Sequence, residues 1–488
     1  MQNIWPHCKH LPKKKLKLRK MMFQKHFIRL NQCNKLISVS NQLRHCSSKP
    51  RPKLSSKKGP TFQDFLAGAN LDARPKIRRT PEDAHPYVTE EMIRGDGQKV
   101  YLDVYGCQMN VNDTEVVWSV LESKGYERTL NPKEADVWLL VTCSIREGAE
   151  SKIWNKLKHI RNNSKLKALN YKPSLKIGLL GCMAERLKDQ MLQTNLVDLV
   201  AGPDSYRDLP RLLAVTKYAD ESAINVILSL DETYADVTPS RLDKNSVTGF
   251  VSIQRGCDNM CSYCIVPFTR GRERSRPVQT ILNEVKILVE AGVKEVTLLG
   301  QNVNSYLDKS EESIAIFGTE LATIKETSLA KGFKTIYKPK LGGLRFSDLL
   351  QKVSEIDPEV RIRFTSPHPK DFPDEVLHLI SSTPNICNQL HLPAQCGSSR
   401  ILEEMRRGYT RESYLELVDH VRSIIPDVRL SGDMIGGFCG ETDEEFEETI
   451  SLIEKVKYGN LFCFQYSLRE VFKSLTEFLK TFLFAVAV

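Results

Sequence analysis

Between residues 99 and 201 the chain repeats one pattern: an apolar run, then a cysteine or a turn, then a helix-like segment. That repeat leaves few folds open. Val100-Tyr101-Leu102-Asp103-Val104-Tyr105 reads as a strand and leads into Gly106-Cys107-Gln108-Met109-Asn110. Asn112-Asp113-Thr114 then predicts the opening of a helix that runs to Lys124. A second run over 136–142 ends at Cys143, with a helix expected from Glu147. A third run over 176–180 leads into Gly181-Cys182-Met183, and 197–201 reads as a fourth strand. Alternating strands and helices of this length predict a parallel sheet with right-handed crossovers. Such sheets bind ligands beyond the carboxyl ends of their strands. Cys107, Cys143 and Cys182 are therefore expected to converge, although they lie 36 and 39 residues apart. A single cysteine in such a place is most often a small buried hydrophobe. Three in equivalent places predict a thiolate site with room for one further ligand.

A second set is closer packed in sequence. Gly256-Cys257-Asp258-Asn259-Met260-Cys261-Ser262-Tyr263-Cys264 has C-x3-C-x2-C spacing and follows an apolar run over 249–253. Residues i, i+4 and i+7 on a helix would share a face, and three core cysteines would fit that pattern. Gly256 and the Asp258-Asn259 pair favour a loop instead. A closed structural zinc site wants four ligands, from paired knuckles or nearby histidines. None lies close enough here to complete one. A four-iron cluster held by three thiolates keeps one iron open.

Beyond that loop, a helix over 278–291 precedes a strand over 295–300. Further strands are expected over 361–366, 387–393, 429–435 and 461–466, with helices between them. Repeated units of this length predict a barrel or part-barrel whose active face lies at the carboxyl ends of its strands. The segment 265–277 carries Arg270, Arg272, Arg274 and Arg276, with Arg255 just before the cysteine loop. It reads either as a solvated basic loop or as a phosphate contact, since arginine suits bidentate phosphate binding. Residues 308–340 read as a loop insertion. His368 and His391 read as structural, and Cys387, Cys396, Cys439 and Cys463 as ordinary thiols.

Charge separates the N-terminus from the rest. Residues 1–63 hold sixteen Lys and Arg and no Asp or Glu; removing them from the net charge of +10 leaves −6 for the remainder. The basic balance is therefore no sign of a nucleic-acid surface on the folded part. An acid-free, basic and apolar leader predicts a mitochondrial targeting segment over 1–46. Residues 47–96 read as a disordered linker rich in Pro, Lys and Ser. Thirteen cysteines spread along a long chain suggest a reducing compartment. No apolar run is long enough for a membrane span.

The motifs resemble a known family. C-x3-C-x2-C with an aromatic residue before the last cysteine resembles the radical S-adenosylmethionine (SAM) superfamily. Tyr105-Gly106-Cys107-Gln108-Met109-Asn110, Val141-Thr142-Cys143-Ser144 and Gly181-Cys182-Met183-Ala184-Glu185-Arg186 resemble the N-terminal domain of its methylthiotransferases. Val266-Pro267-Phe268-Thr269-Arg270-Gly271 and Leu299-Gly300-Gln301-Asn302 are most similar to the tRNA branch, in its animal mitochondrial form.

The resemblance implies an α/β fold: an N-terminal parallel-sheet domain over 97–215, a linker over 216–247, and a radical SAM partial (β/α)6 barrel over 248–468. A C-terminal RNA-binding β-barrel, usual in the family, is expected to be missing, with an atypical tail over 469–488. Two [4Fe-4S] clusters are implied, on Cys107, Cys143 and Cys182 and on Cys257, Cys261 and Cys264. SAM is implied at the second, with Gly300 and Gln301 as contacts and Tyr263 packing near its adenine. The implied reaction inserts a methylthio group at C2 of N6-isopentenyladenosine 37 of mitochondrial tRNA. Expected partners are the tRNA anticodon loop, an electron donor, a sulfur source and a kinase regulatory subunit; the chain is expected to act as a monomer. The alternatives are a sister enzyme acting on threonylcarbamoyl-adenosine, or a non-catalytic binder of the kinase regulator.

Overall fold

The computed structural model describes residues 88–144, 147–166, 174–317, 330–334 and 342–467. The expected targeting segment, nearly all of the 47–96 linker, part of the 308–340 insertion and the 469–488 tail lie outside them. The described residues belong to one unit of the chain.

The first sheet has six parallel strands in the order β2-β1-β3-β4-β5-β6. They are β1 (Lys99–Val104), β2 (Glu127–Arg128), β3 (Val137–Thr142), β4 (Lys176–Gly181), β5 (Leu199–Ala201) and β6 (Ala223–Asn225). β3 is buried along its whole length, as a central strand covered on both faces must be. Its alternate side chains serve two cores. Val137, Leu139 and Val141 pack with helix α1 (Gln108–Glu122), while Trp138 and Leu140 pack with helix α2 (Glu147–Leu166). The chain leaves β1 for the edge strand β2 and returns on the other side of β1 as β3, so the order reverses between β1 and β3. A crevice opens at such a switch point, and ligands bind there. Cys107 and Cys143 follow the two strands that flank it.

The sheet runs further than expected. β6 pairs with β5 and lies inside the stretch read as a linker. Tyr234, from the same stretch, is buried in the N-domain core, with Val237 and Leu242 packed against it.

The second sheet is the partial barrel. β7 (Thr248–Ser252), β10 (Glu295–Leu299) and β13 (Arg361–Phe364) are parallel neighbours, as are β14 (Gln389–His391), β15 (Arg429–Gly436) and β16 (Asn460–Gln465). An isolated bridge between Ile362 and Ile386 joins the halves. Six parallel strands thus run β7-β10-β13-β14-β15-β16. Helices such as Val278–Glu290 and Arg411–Ile424 bury one apolar face each against this sheet. Two antiparallel ribbons complete the domain: β8 (Gln254–Arg255) with β9 (Arg274–Ser275), and β11 (Leu307–Asp308) with β12 (Leu344–Arg345). The first closes the base of the cysteine loop.

Candidate active site

Register explains the first thiol set. Thr142 on β3 faces Gly181 on β4, so Cys143 and Cys182 leave adjacent strands at the same level. Gly181 has φ +89, and a Cβ there would meet Thr142 O at 2.7 Å. Gly106, at φ +120, approaches Cys143 so closely that its own Cβ would lie 2.8 Å from that residue's Cβ. Glycine is needed at both places, for conformation and for space. Arg186, on helix α3 (Cys182–Leu187), then ties the set together: its Nε donates to Ser144 Oγ (2.7 Å) and its Nη2 to Glu150 Oε1 (2.6 Å). Cys107 is exposed; Cys143 and Cys182 are buried.

The second set sits on the loop between β8 and β9. Gly256 has φ +74, and a Cβ would lie 2.0 Å from Arg272 O. Its N–H donates to Gln301 Oε1 at 2.6 Å. Ser262 fastens the loop to the far side of the barrel, donating from N and Oγ to the carbonyls of Met405 and Glu404. Buried Arg407 completes the hold. Its Nη1 stands 3.6 Å from Cys261 Sγ and 3.3 Å from Tyr263 Oη, while Nη2 donates to Pro393 O and Nε to Tyr409 Oη. Tyr263 thus lies with its hydroxyl against Arg407, next to Cys261. Burial pushes the Cys257 thiol well up, and burial with the neighbouring Cys261 takes Cys264 up to about 12. Metal binding must drive those protons off.

The first set opens on a cavity whose other wall belongs to the barrel. This cavity, of about 180 Å³, is lined by Cys107, Cys143 and Cys182 from the first sheet. Its other wall is the carboxyl edge of the barrel: Gly300 and Gln301 after β10, Thr365 and Ser366 after β13, and Arg270. Gln301 therefore faces the cavity and also holds the loop of Cys257. Among the described residues no group of three His, Cys, Asp or Glu side chains could hold a single metal ion. Three soft thiolate donors on one loop would suit a four-iron cluster with one iron left open.

Four of the five arginines are buried in ion pairs rather than solvated. Arg255, Arg270, Arg274 and Arg276 are 2–6 % exposed. Arg255 and Arg270 share the Asp113 carboxylate on α1, each at 2.6 Å. Arg274 grips both oxygens of Asp204 at 2.9 and 3.1 Å, and Arg276 pairs with Glu284 at 2.6 Å. Arg272 alone of the five is exposed, and it pairs with Asp258. Three of these arginines fasten the barrel to the first domain. Burial alone would raise the Asp113 carboxyl, but the two guanidiniums outweigh it and hold it below its ordinary value. Sequence reasoning missed Asp113, Arg407, Thr365 and Ser366. The left-handed φ of +58 at Ser366 has no glycine to announce it.

Both histidines are held by hydrogen bonds within the barrel. His368 is buried, and its Nδ1 accepts from Lys370 N. His391 lies between Ser431 Oγ and Asp433 Oδ2, at 3.1 Å from each.

A three-thiol loop on a parallel partial barrel, beside a second three-thiol set on a doubly wound sheet, defines an iron–sulfur radical enzyme with two domains. Residues 251–453 match the radical SAM superfamily, and residues 99–202 match a family described only as uncharacterized, UPF0004. The chain is 59% identical over 413 residues to the mitochondrial tRNA methylthiotransferase CDK5RAP1 of Rattus norvegicus, covering 84% of this chain and 69% of the relative. It is 54% identical to the human protein of that name, covering 91% and 76%. It is 48% identical to the tRNA-2-methylthio-N(6)-dimethylallyladenosine synthase of Porphyromonas gingivalis, covering 76% and 73%. The chain belongs to the radical SAM tRNA methylthiotransferase family. In fold it resembles the radical SAM methyltransferase TsrM of Kitasatospora setae, with TM-score 0.50 at 14% identity over 75% of this chain and 73% of that one. Among the described residues no helix is long and apolar enough to cross a membrane.

Proposed function

We propose that this enzyme inserts a methylthio group at C2 of N6-isopentenyladenosine 37 in mitochondrial tRNA, using two [4Fe-4S] clusters and SAM. One observation carries the reading: a single cavity is walled on one side by Cys107, Cys143 and Cys182 and on the other by the carboxyl edge of the barrel. The Porphyromonas relative is named for this substrate, and the mammalian relatives are named mitochondrial.

When bound, the clusters and SAM supply a carbon-centred radical and the sulfur to be inserted. The protein's part is to hold and to position. Cys257, Cys261 and Cys264 would hold the SAM-binding cluster, with Arg407 Nη1 3.6 Å from Cys261 Sγ. Cys107, Cys143 and Cys182 would hold the other. Gly300 and Gln301 are the proposed SAM contacts, and Tyr263 the proposed packing partner of its adenine. An adenine C2–H offers no leaving group, so acid–base catalysis gives little help. What it needs is an unstacked base brought between the two thiol sets, as an anticodon loop can present one.

Nucleoside mass spectrometry of mitochondrial tRNA tests the substrate. Cells lacking the protein should accumulate N6-isopentenyladenosine and lose its 2-methylthio form. Loss of a methylthio-threonylcarbamoyl nucleoside instead would assign the sister activity.

A further inference from the structure

The best-placed group without an explained role is one end of Arg270. Its guanidinium is buried at 4% exposure. Nη2 is fully engaged, with Asp113 Oδ2 at 2.6 Å and Asn110 Oδ1 at 3.1 Å. Nη1 is buried and has no hydrogen-bond partner. Arg255, Arg274 and Arg276 also leave one nitrogen without a hydrogen bond, but there it is Nε, on the stem. A buried donor on a charged group is costly to leave unmade, and native structures rarely do so.

The surroundings indicate what that donor awaits. Arg270 lines the cavity together with Cys107, Cys143 and Cys182. Asp113 is not its alone, since Arg255 takes the other oxygen and also leans on Glu232 at 3.6 Å. The other cysteine set already has the matching arrangement: Arg407, pinned by Tyr409 and Pro393, presents Nη1 to Cys261 Sγ at 3.6 Å.

We propose that Arg270 is a positioning residue for the N-domain cluster, donating from Nη1 to a thiolate of the Cys107, Cys143 and Cys182 set while Asp113 and Asn110 fix its other end. This rests on the two-cluster reading above. An arginine of the barrel domain would then complete a metal site seated on the other domain and set its redox potential. Net charge and hydrogen bonds to the ligand sulfurs are the levers that tune such clusters.

The test uses the full chain with Cys257, Cys261 and Cys264 all changed to alanine, reconstituted with iron and sulfide without oxygen. Iron per chain and the midpoint potential, from a redox titration followed by electron paramagnetic resonance, are compared for Arg270→Gln, Arg270→Lys and Arg276→Gln. The last breaks another buried ion pair, with Glu284, away from this cysteine set. The background should hold about four irons. Arg270→Gln should shift the potential to more negative values or lose iron selectively, Arg270→Lys should do so less, and Arg276→Gln should leave both quantities alone. Four irons with an unchanged potential in Arg270→Gln would overturn the assignment alone, as would an equal shift in Arg276→Gln. A background that takes up no iron would overturn the two-cluster reading, and this assignment with it.

Discussion

Arg270 Nη2 stands 2.6 Å from Asp113 Oδ2, across 157 residues of sequence and across the junction of two domains. Arg255 takes the other oxygen at the same distance. One carboxylate with no solvent exposure thus pairs with two buried cations and ties the barrel to α1.

Removing that carboxylate should therefore be severe. Asp113→Ala leaves two guanidiniums buried without their shared partner and should cost about 3–5 kcal/mol, the usual penalty for breaking a buried pair. Chemical denaturation checks it. The pH dependence has a definite sign. Asp113 titrates below its ordinary value in the folded chain. Its contribution is complete above the ordinary carboxylate value of about 4 and is lost as pH falls through the lower folded value.

Gly256→Ala should disable one thiol set and spare the other. The added Cβ would lie 2.0 Å from Arg272 O at φ +74, so the loop carrying Cys257 must open. Iron should fall by about half per chain on reconstitution, with the remainder lost when Cys107, Cys143 and Cys182 are also replaced.

Gln301→Leu removes the acceptor of the Gly256 N–H. An unpaired buried donor costs about 1–3 kcal/mol, visible as a lowered melting temperature. Because Gln301 also lines the cavity, SAM cleavage should fall by more than the loss of folded protein accounts for. A parallel fall in the two would reduce Gln301 to a structural part.

Glu185 supplies a pH signature. It is buried, its side chain lies against Gly202, and burial raises its carboxyl to about 7 despite Lys188 at 3.6 Å. Between the ordinary value near 4.5 and about 7 the folded chain holds a proton that the unfolded chain has lost. Stability therefore falls as pH rises through that window. Glu185→Gln should flatten the profile and be more stable than the parent at pH 8.

Much of this was legible in the residue order, and the exceptions have physical causes. The cysteines could be read because each follows an apolar run that fixes a strand end, so local pattern and global position agree. The barrel strands could be read for the same reason. The arginine segment could not, because the groups that bury Arg255 and Arg270 come from α1, more than 140 residues earlier. Local sequence carries no trace of a partner so distant. β6 was hidden by its length of three residues within a polar stretch. Helix α1 was expected to open at Asn112 but begins at Gln108. Its N-cap is Cys107, in extended conformation with no side-chain capping bond, so the usual Ser, Thr, Asp or Asn signal is missing. Left-handed Met260 and Ser366 were likewise invisible without a glycine.

The central claim is that six thiolates would form two incomplete metal cages, and iron stoichiometry tests it most directly. Protein reconstituted without oxygen should carry about eight irons per chain. Replacing Cys107, Cys143 and Cys182 by alanine should leave about four, and so should replacing Cys257, Cys261 and Cys264. About four irons in the unaltered protein, all lost with the second set and none with the first, would contradict the account.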